Sequence, residues 1–387
     1  MSGGGFRVEI RAWLEANCPP SMRTPPRPGE EFWGGRKPKF PSDDARVWFE
    51  RCVERGLTAP AWPRAYGGAG LSPDDARIFE EERRALGARP PLYSFGLWML
   101  GPVLLELASE EQRREHLPAI ARGETRWCQG YSEPGAGSDL ASLATRAVRD
   151  GDHFVVDGAK VWTSHADHAD AMFCLVRTDP DAPKHDGISF LLIDMTSPGI
   201  TVRPIPLISG SSPFCETRFD GVRVPARNLV GREGGGWAIA KRLLEHERTI
   251  ISIMRDQAVE ETETLPAMLR RLGGDAAVRD RVIQAELDFL CNRLTIERTR
   301  EATAAGRGPG PASSLFKLYG TELNQRRKEL RVELAGYQGV GWEAPGFAAD
   351  ELQLTREWLR SRANTIEGGS SEIQLNIIAK RVLGLPD

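Results

Sequence analysis

Apolar side chains recur three or four residues apart through the first third of the chain. DDARVWFERCVERG (43–56), DDARIFEEERRALG (74–87) and SEEQRREHLPAIARG (109–123) all carry this spacing, which gathers apolar positions on one helical face. Phe6 to Asn17 reads as a further amphipathic helix. Ser109, with Gln112 three residues later, predicts an N-cap and capping box, and Gly123 predicts a stop. From about Trp127 to Val230 the pattern changes. HFVVDGAKVWTS, DAMFCLVRT, GISFLLIDM, ITVRPIPLI and FCETRFDGVRV are short, rich in β-branched and aromatic residues, and separated by Gly, Pro, Asp and Ser. Strands without helices between them predict an antiparallel sheet or barrel. After GREGGGW (231–237) the helical period returns in 238–257, 275–304, 311–336 and 348–362, which predict an antiparallel bundle, with a last helix over 371–383. The stretch Gly306 to Pro311 reads as a turn between helices. The expected fold is α+β and multidomain: an N-terminal helical domain (1–126), a middle antiparallel β-domain (127–235) and a C-terminal four-helix-type bundle (236–387).

Composition narrows the function classes. The 387 residues hold 51 Lys and Arg against 54 Asp and Glu, a net charge of −3 that gives no bulk attraction to nucleic acid or an anionic membrane. The longest uncharged stretch, Pro90 to Leu105, has 16 residues and is broken by Gly96, Gly101 and Pro102, so no membrane span is expected. The N-terminal residues carry charges every few positions and lack the apolar core of a secretory signal. Six scattered cysteines without a C-x-x-C read as reduced side chains, and the expected location is cytoplasmic.

Three features could carry chemistry. In WCQGYSEPGAGSDLASLATRA (127–147), Gly135 and Gly137 allow backbone amides close to a ligand, and Ser132 and Ser138 add hydroxyls; the alternative is an ordinary surface turn. The loop is neither G-x-G-x-x-G nor a P-loop. In GAKVWTSHADHAD (158–170), Trp162 could stack on a flat aromatic ligand while Thr163 and Ser164 bond its polar edge. His165 and His168 with Asp167 and Asp170 do not form an H-E-x-x-H helix, and no metal is expected. Glu247, in RLLEHERTI, and Glu367, in NTIEGGSSEIQLNIIAKRVLG, are carboxylates that in isolation read as solvated helix charges.

Taken together, these segments resemble the acyl-CoA dehydrogenase family. WCQGYSEPGAGSDL, GAKVWTSHADHAD, FDGVRVPARNLVGREGGGW, Glu247-Arg248 and GGSSEIQLNIIAKRVLG stand in the family's order and spacing, as does Ala61-Trp62-Pro63 with Tyr66-Gly67-Gly68-Ala69-Gly70. The resemblance implies three zones of helices, strands and helices, with FAD between the β-domain and the bundle. It implies a dimer or tetramer, an acyl-CoA substrate desaturated between its α and β carbons, and electron transfer to an electron-transfer flavoprotein. Gln129, Tyr131, Ser132, Gly137 and Ser138 would line the flavin, with Ser138 also near the thioester. Trp162, Thr163 and Ser164 would wall its other side, and Ser370 and Glu372 would touch it from the last-helix loop.

The reaction needs a base for a weakly acidic α-proton, and donors aimed at the developing enolate oxygen. In the family's medium-chain branch the base follows a tyrosine; counting back from Ile373-Gln374 puts Gly368 at that place and Glu367 at the tyrosine. In the isovaleryl- and long-chain-like branch the base precedes an arginine in the helix after the β-domain, as Glu247 precedes Arg248. Glu247 is therefore the expected base and Glu367 the alternative. Arg248 would brace the substrate site and Gly368 would leave room for a bulky, branched or ring-bearing acyl group. The chain departs from the family where an Arg-x-x-Phe-Gly segment is absent from 255–280 and where Ala335 replaces a glutamine before Gly336-Tyr337-Gln338-Gly339-Val340-Gly341. In the family the arginine of the first element reaches a neighbouring subunit's FAD, and both elements fall on contacts across a subunit interface. Pairing with a second acyl-CoA dehydrogenase chain, as a non-catalytic or half-site subunit, is the alternative reading. Flavin monooxygenation or nitroalkane oxidation on the same fold is another.

Overall fold

The computed structural model describes residues 3–27, 29–256, 263–304, 312–343 and 345–386, without the side chains of 3, 4, 247–256, 300, 303, 304, 312 and 313. Its element order is helices, then strands, then helices. The chain divides into two compact units, one of residues 1–205 with 213–250, the other of 206–212 with 251–387.

In the first unit the N-terminal helices are α1 (Gly3–Asn17), α2 (Asp43–Glu54), α3 (Pro73–Ala85), α4 (Gly101–Leu107) and α5 (Glu110–Ala121). Ser42 and Ser72 cap α2 and α3, each followed by a pair of aspartates that favour the positive helix end. The expected capping box closes α5: Ser109 Oγ accepts the Gln112 amide at 3.3 Å, and Gln112 Oε1 accepts the Ser109 amide at 3.2 Å. The uncharged Pro90–Leu105 stretch enters α4 through a π-helical turn at Gly96–Leu100.

The sheet runs β6 (Ile200–Ile205), β7 (Phe214–Pro225), β3 (His153–Ser164), β2 (Arg146–Asp150), β4 (Ala171–Arg177), β5 (Ile188–Asp194), β8 (Leu229–Val230), with β1 (Trp127–Gly130) beside β4. Its pairings are antiparallel except β1 and β2 against β4, which are parallel. Strands β4 and β5 are apolar on both faces, and the two-residue period sorts them between two cores. Ala171, Phe173, Leu175, Ile188, Phe190 and Leu192 join Leu100, Leu104 and Leu117 of the helices. Met172, Cys174, Val176, Leu191 and Ile193 join Phe154, Val156 and Val222 on the other face. Ile239, Ala240 and Leu243, at the start of α6 (Gly236–Asp256), belong to the first core.

The second unit contains α7 (Leu265–Leu272), α8 (Ala276–Ala304), α9 (Ala312–Ala335), α10 (Ala349–Ser361) and α11 (Ser371–Ile377). Its apolar cluster is small, with Leu265, Val282, Ala285 and Leu330 at the centre. Along α8, Ile283, Leu287, Leu290 and Leu294 are 41–52% exposed and fall four, three and four residues apart, a second apolar stripe on one helix. The turn expected at Gly306–Pro311 lies outside the described residues. All six cysteines are unbridged; only Cys291 is exposed. Among the described residues no helix is long and apolar enough to cross a membrane.

Candidate active site

The segment 127–147, read from sequence as one loop, begins as β1, closes a tight turn at Glu133–Ala136 and runs into β2. The Glu133 and Ala136 amides each donate to the other's carbonyl at 3.0 Å. An added Cβ at Gly130 would lie 2.3 Å from Met172 Sδ, so packing requires that glycine. Gly135 and Gly137 differ: neither has a positive φ, and a Cβ on either would meet nothing within 4 Å. The chain leaves open room at both, with Ser138 exposed next to them.

Two buried charges hold this turn to β3. Lys160 is 0% exposed and donates to Glu133 Oε1 at 2.7 Å and to the Tyr131 carbonyl at 3.1 Å. Glu133 also accepts the amides of Ala144 (2.6 Å) and Thr145 (2.9 Å). Burial alone would push the Glu133 carboxyl up. The Lys160 charge and the hydrogen bonds from Lys160, Thr145 and Ala144 outweigh burial and hold it below the usual carboxylate range. Sequence reasoning missed both residues, because a lysine in a strand ordinarily faces solvent.

Immediately after Lys160 the β3–β7 ladder slips. Lys160 pairs with Thr217 and Thr163 with Cys215, so Val161 and Trp162 oppose Glu216 alone, a β-bulge. Trp162 takes φ +62° and is 54% exposed, its ring edge-on to Phe214 at 6.0 Å. A non-glycine residue in that region costs about 1–3 kcal/mol and persists only where its surroundings fix it. Thr163 departs from expectation: its hydroxyl is buried, donating to the Cys215 carbonyl at 2.6 Å and 3.0 Å from Thr217 Oγ1. The bulge turns Thr163 inward, so its hydroxyl is engaged with β7 and not offered to an outside ligand. The Tyr131 ring is also buried, edge-on to Phe173 and Phe190, whereas Gln129, Ser132 and Ser164 are half-buried. His165 packs near Trp33 at 5.2 Å and His168 is exposed. Among the described residues no group of three His, Cys, Asp or Glu side chains could hold a metal ion.

Glu247 and Arg248 lie on α6, and their side chains are outside the described residues. The turn before them is anchored: Arg242 makes a two-pronged contact to Glu106 of α4 (2.6 and 2.8 Å) and a third to Glu245 (2.7 Å).

In the second unit, Glu367 is ion-paired with Arg360 at 2.8 Å, and its other oxygen accepts from Asn364 at 2.5 Å. Gly368 and Gly369 follow at φ +62° and +87°, and a Cβ on Gly368 would meet nothing within 4 Å. Ser370 Oγ caps α11 by accepting the Ile373 amide at 3.4 Å. The Glu372 carboxyl is held below its usual range, first by its own backbone amide and then by the Ser370 hydroxyl. Ser371, which sequence reasoning passed over, has a buried hydroxyl with no hydrogen-bond partner among the described residues. Two of the glycines at 336–341 serve packing inside this unit, since a Cβ would strike Val332 O at Gly339 (2.4 Å) and Phe347 at Gly341 (2.4 Å), whereas Gly336 meets open space and takes φ +56°.

Models of the acyl-CoA dehydrogenase N-terminal, middle and C-terminal domains match residues 6–124, 128–222 and 234–383. The chain belongs to the acyl-CoA dehydrogenase family. It is 38% identical to the acyl-CoA dehydrogenase IpdE1 of Mycobacterium tuberculosis, across 98% of this chain and 97% of that one. Among solved structures it resembles the Tcur3481-Tcur3483 steroid ACAD with a TM-score of 0.75 and 31% identity, covering 100% of this chain and 98% of the other. The ChsE4-ChsE5 complex from Mycobacterium tuberculosis gives a TM-score of 0.71 and 30% identity, with 100% and 98% covered. Acyl-CoA dehydrogenases are oxidoreductases and flavoproteins. Within the first unit the residues fit such a cofactor: an exposed indole on strained backbone, and open room at Gly135 and Gly137.

Proposed function

We propose that this acyl-CoA dehydrogenase binds FAD and desaturates, between the α and β carbons, an acyl-CoA whose acyl group is bulky and ring-bearing, of the steroid type. The observation that carries the reading is the β3 bulge, where the exposed Trp162 stands two residues after Lys160, which clamps the Glu133–Ala136 turn. By the family resemblance, Gln129, Tyr131, Ser132, Gly137, Ser138, Trp162, Thr163, Ser164, Ser370 and Glu372 would hold the cofactor. FAD, when bound, supplies the hydride acceptor. Glu247 takes the α-proton onto its carboxylate, and Arg248 and Ser138 orient the thioester. The choice of Glu247 over Glu367 is supported by the pairing of both Glu367 oxygens with Arg360 and Asn364. The open room at Gly368 and the steroid named for one similar structure support the substrate class. The electrons leave to an electron-transfer flavoprotein, as the resemblance implies. Cytoplasmic residence and domain limits at 126/127 and 235/236 belong to the same proposal.

A second reading has specific support: the chain works beside a different acyl-CoA dehydrogenase chain that completes its cofactor site. The changed elements at 255–280 and 335–341, the exposed stripe on α8 and the likeness to the ChsE4-ChsE5 complex all favour a heteromer. One experiment addresses both readings. The purified chain is inspected for flavin absorbance, then mixed anaerobically with a panel of acyl-CoAs. Bleaching by ring-bearing thioesters and not by straight-chain ones is the expected result. Bleaching by straight chains alone overturns the substrate class. A colourless chain that turns yellow only with a second chain establishes the heteromer.

A further inference from the structure

A lysine with no solvent exposure needs a reason beyond stability. Burying an ion pair costs several kcal/mol of desolvation per ion, and an apolar pair of similar volume is often as stable or more so. What Lys160 and Glu133 supply is directional. The Lys160 ammonium reaches the Tyr131 carbonyl and Glu133 Oε1, while the neighbouring Val161 amide donates to the Ser132 carbonyl at 2.9 Å. Positions 131, 132 and 133 are thus tied to two consecutive residues of β3. Glu133 passes the restraint on to the amides of Ala144 and Thr145, where β2 begins. On the far side of the bulge, the Thr163 hydroxyl is fixed to β7. Of residues 160–163, Trp162 alone is exposed, and it carries the left-handed backbone.

We infer that Lys160 and Glu133 are positioning residues, whose buried pair sets the distance between the Glu133–Ala136 turn and the Trp162 bulge and so pre-forms the two sides of a flavin clamp. The inference rests on the flavin reading above. It assigns the pair no contact with the cofactor and no part in proton transfer. Its effect is on cofactor affinity, because a clamp that is already formed does not have to be ordered on binding.

The test uses the full chain with its flavin removed, titrated with FAD and melted separately without it. Lys160→Met leaves Glu133 buried and unpaired, so both the melting temperature and FAD affinity should fall, the latter at least tenfold. Glu133→Gln with Lys160→Met removes both charges, so the melting temperature should recover while FAD affinity stays at least tenfold weak. Quenching of bound flavin fluorescence by Trp162 should also stay incomplete. A double variant that binds and quenches like wild type makes the pair merely structural and overturns the inference. If the double variant does not fold, Lys160→Arg decides: a larger cation in a filled site should weaken FAD at least threefold, and unchanged affinity is contrary. A wild-type chain that takes up no FAD overturns the flavin reading and this inference with it. Wild-type uptake matched by every variant overturns the inference alone.

Discussion

The two regions that carry the candidate site residues are built in opposite ways. Around β3 the polar groups are buried and mutually engaged: Lys160 and Thr163 are both 0% exposed, and the strain at Trp162 is held from each side. Around 363–372 the second unit relies on an exposed turn, with successive glycines at positive φ and an Arg360–Glu367 pair about one-third exposed on each partner. The first arrangement fixes a geometry before any ligand arrives. The second leaves space and satisfies its charges in partly wet surroundings, which suits a surface that adapts to an acyl group.

Substitutions can break this contrast, beginning with the ion pairs. Lys160→Met should cost about 3–5 kcal/mol in urea unfolding, because it leaves a buried carboxylate unpaired. Arg360→Met should cost at most about 1 kcal/mol, since solvent screens that pair. Equal losses would show that the two regions are held alike. Next comes the glycine turn: Gly368→Ala should lose about 1–2 kcal/mol through its left-handed φ, although space is open.

Asp194 gives a smaller, pH-dependent effect. Arg36 bonds it at 2.7 and 3.2 Å, and Thr196 adds two more hydrogen bonds. Burial pushes its carboxyl up, but the hydrogen bonds of Arg36 and Thr196 outweigh that and hold it at about 2. Because the folded value lies below the ordinary aspartate value of about 3.9, its stabilisation is present above pH ~4 and is lost as pH falls toward 2. The side chain is 44% exposed, so Asp194→Asn should cost no more than about 1 kcal/mol at pH 7, a difference that vanishes near pH 2. A difference that persists in acid would remove the ion pair as its cause. Least of all, Gly135→Ala should change stability by less than about 0.5 kcal/mol, since it meets open space on an ordinary backbone. A larger loss would mean that the room beside the turn is not free.

The same contrast explains what the sequence could reveal. Long periodic segments were legible: α2, α3, α5 and strands β3 to β7 stand where alternation or helical spacing put them, and Ser109 with Gln112 formed its box. The four-residue β1 was not legible, because WCQG has too few positions to display a period and pairs in parallel with a distant strand. Neither was α7, an eight-residue helix in a segment that read only as a departure from the family. Side-chain direction around Trp162 was also hidden. The bulge shifts which residues face inward, so Thr163 and Lys160 are buried where unbroken alternation could not place both, and only the ladder register reveals it.

On the proposed reading, the reaction turns on one carboxylate. Anaerobic reduction of the bound flavin by a ring-bearing acyl-CoA should be followed in wild type, Glu247→Gln and Glu367→Gln, with FAD content measured in each. The account predicts that Glu247→Gln keeps its flavin and loses bleaching by at least a hundredfold, in line with removal of a general base, while Glu367→Gln bleaches at nearly the wild-type rate. Bleaching that survives Glu247→Gln and disappears in Glu367→Gln would contradict it.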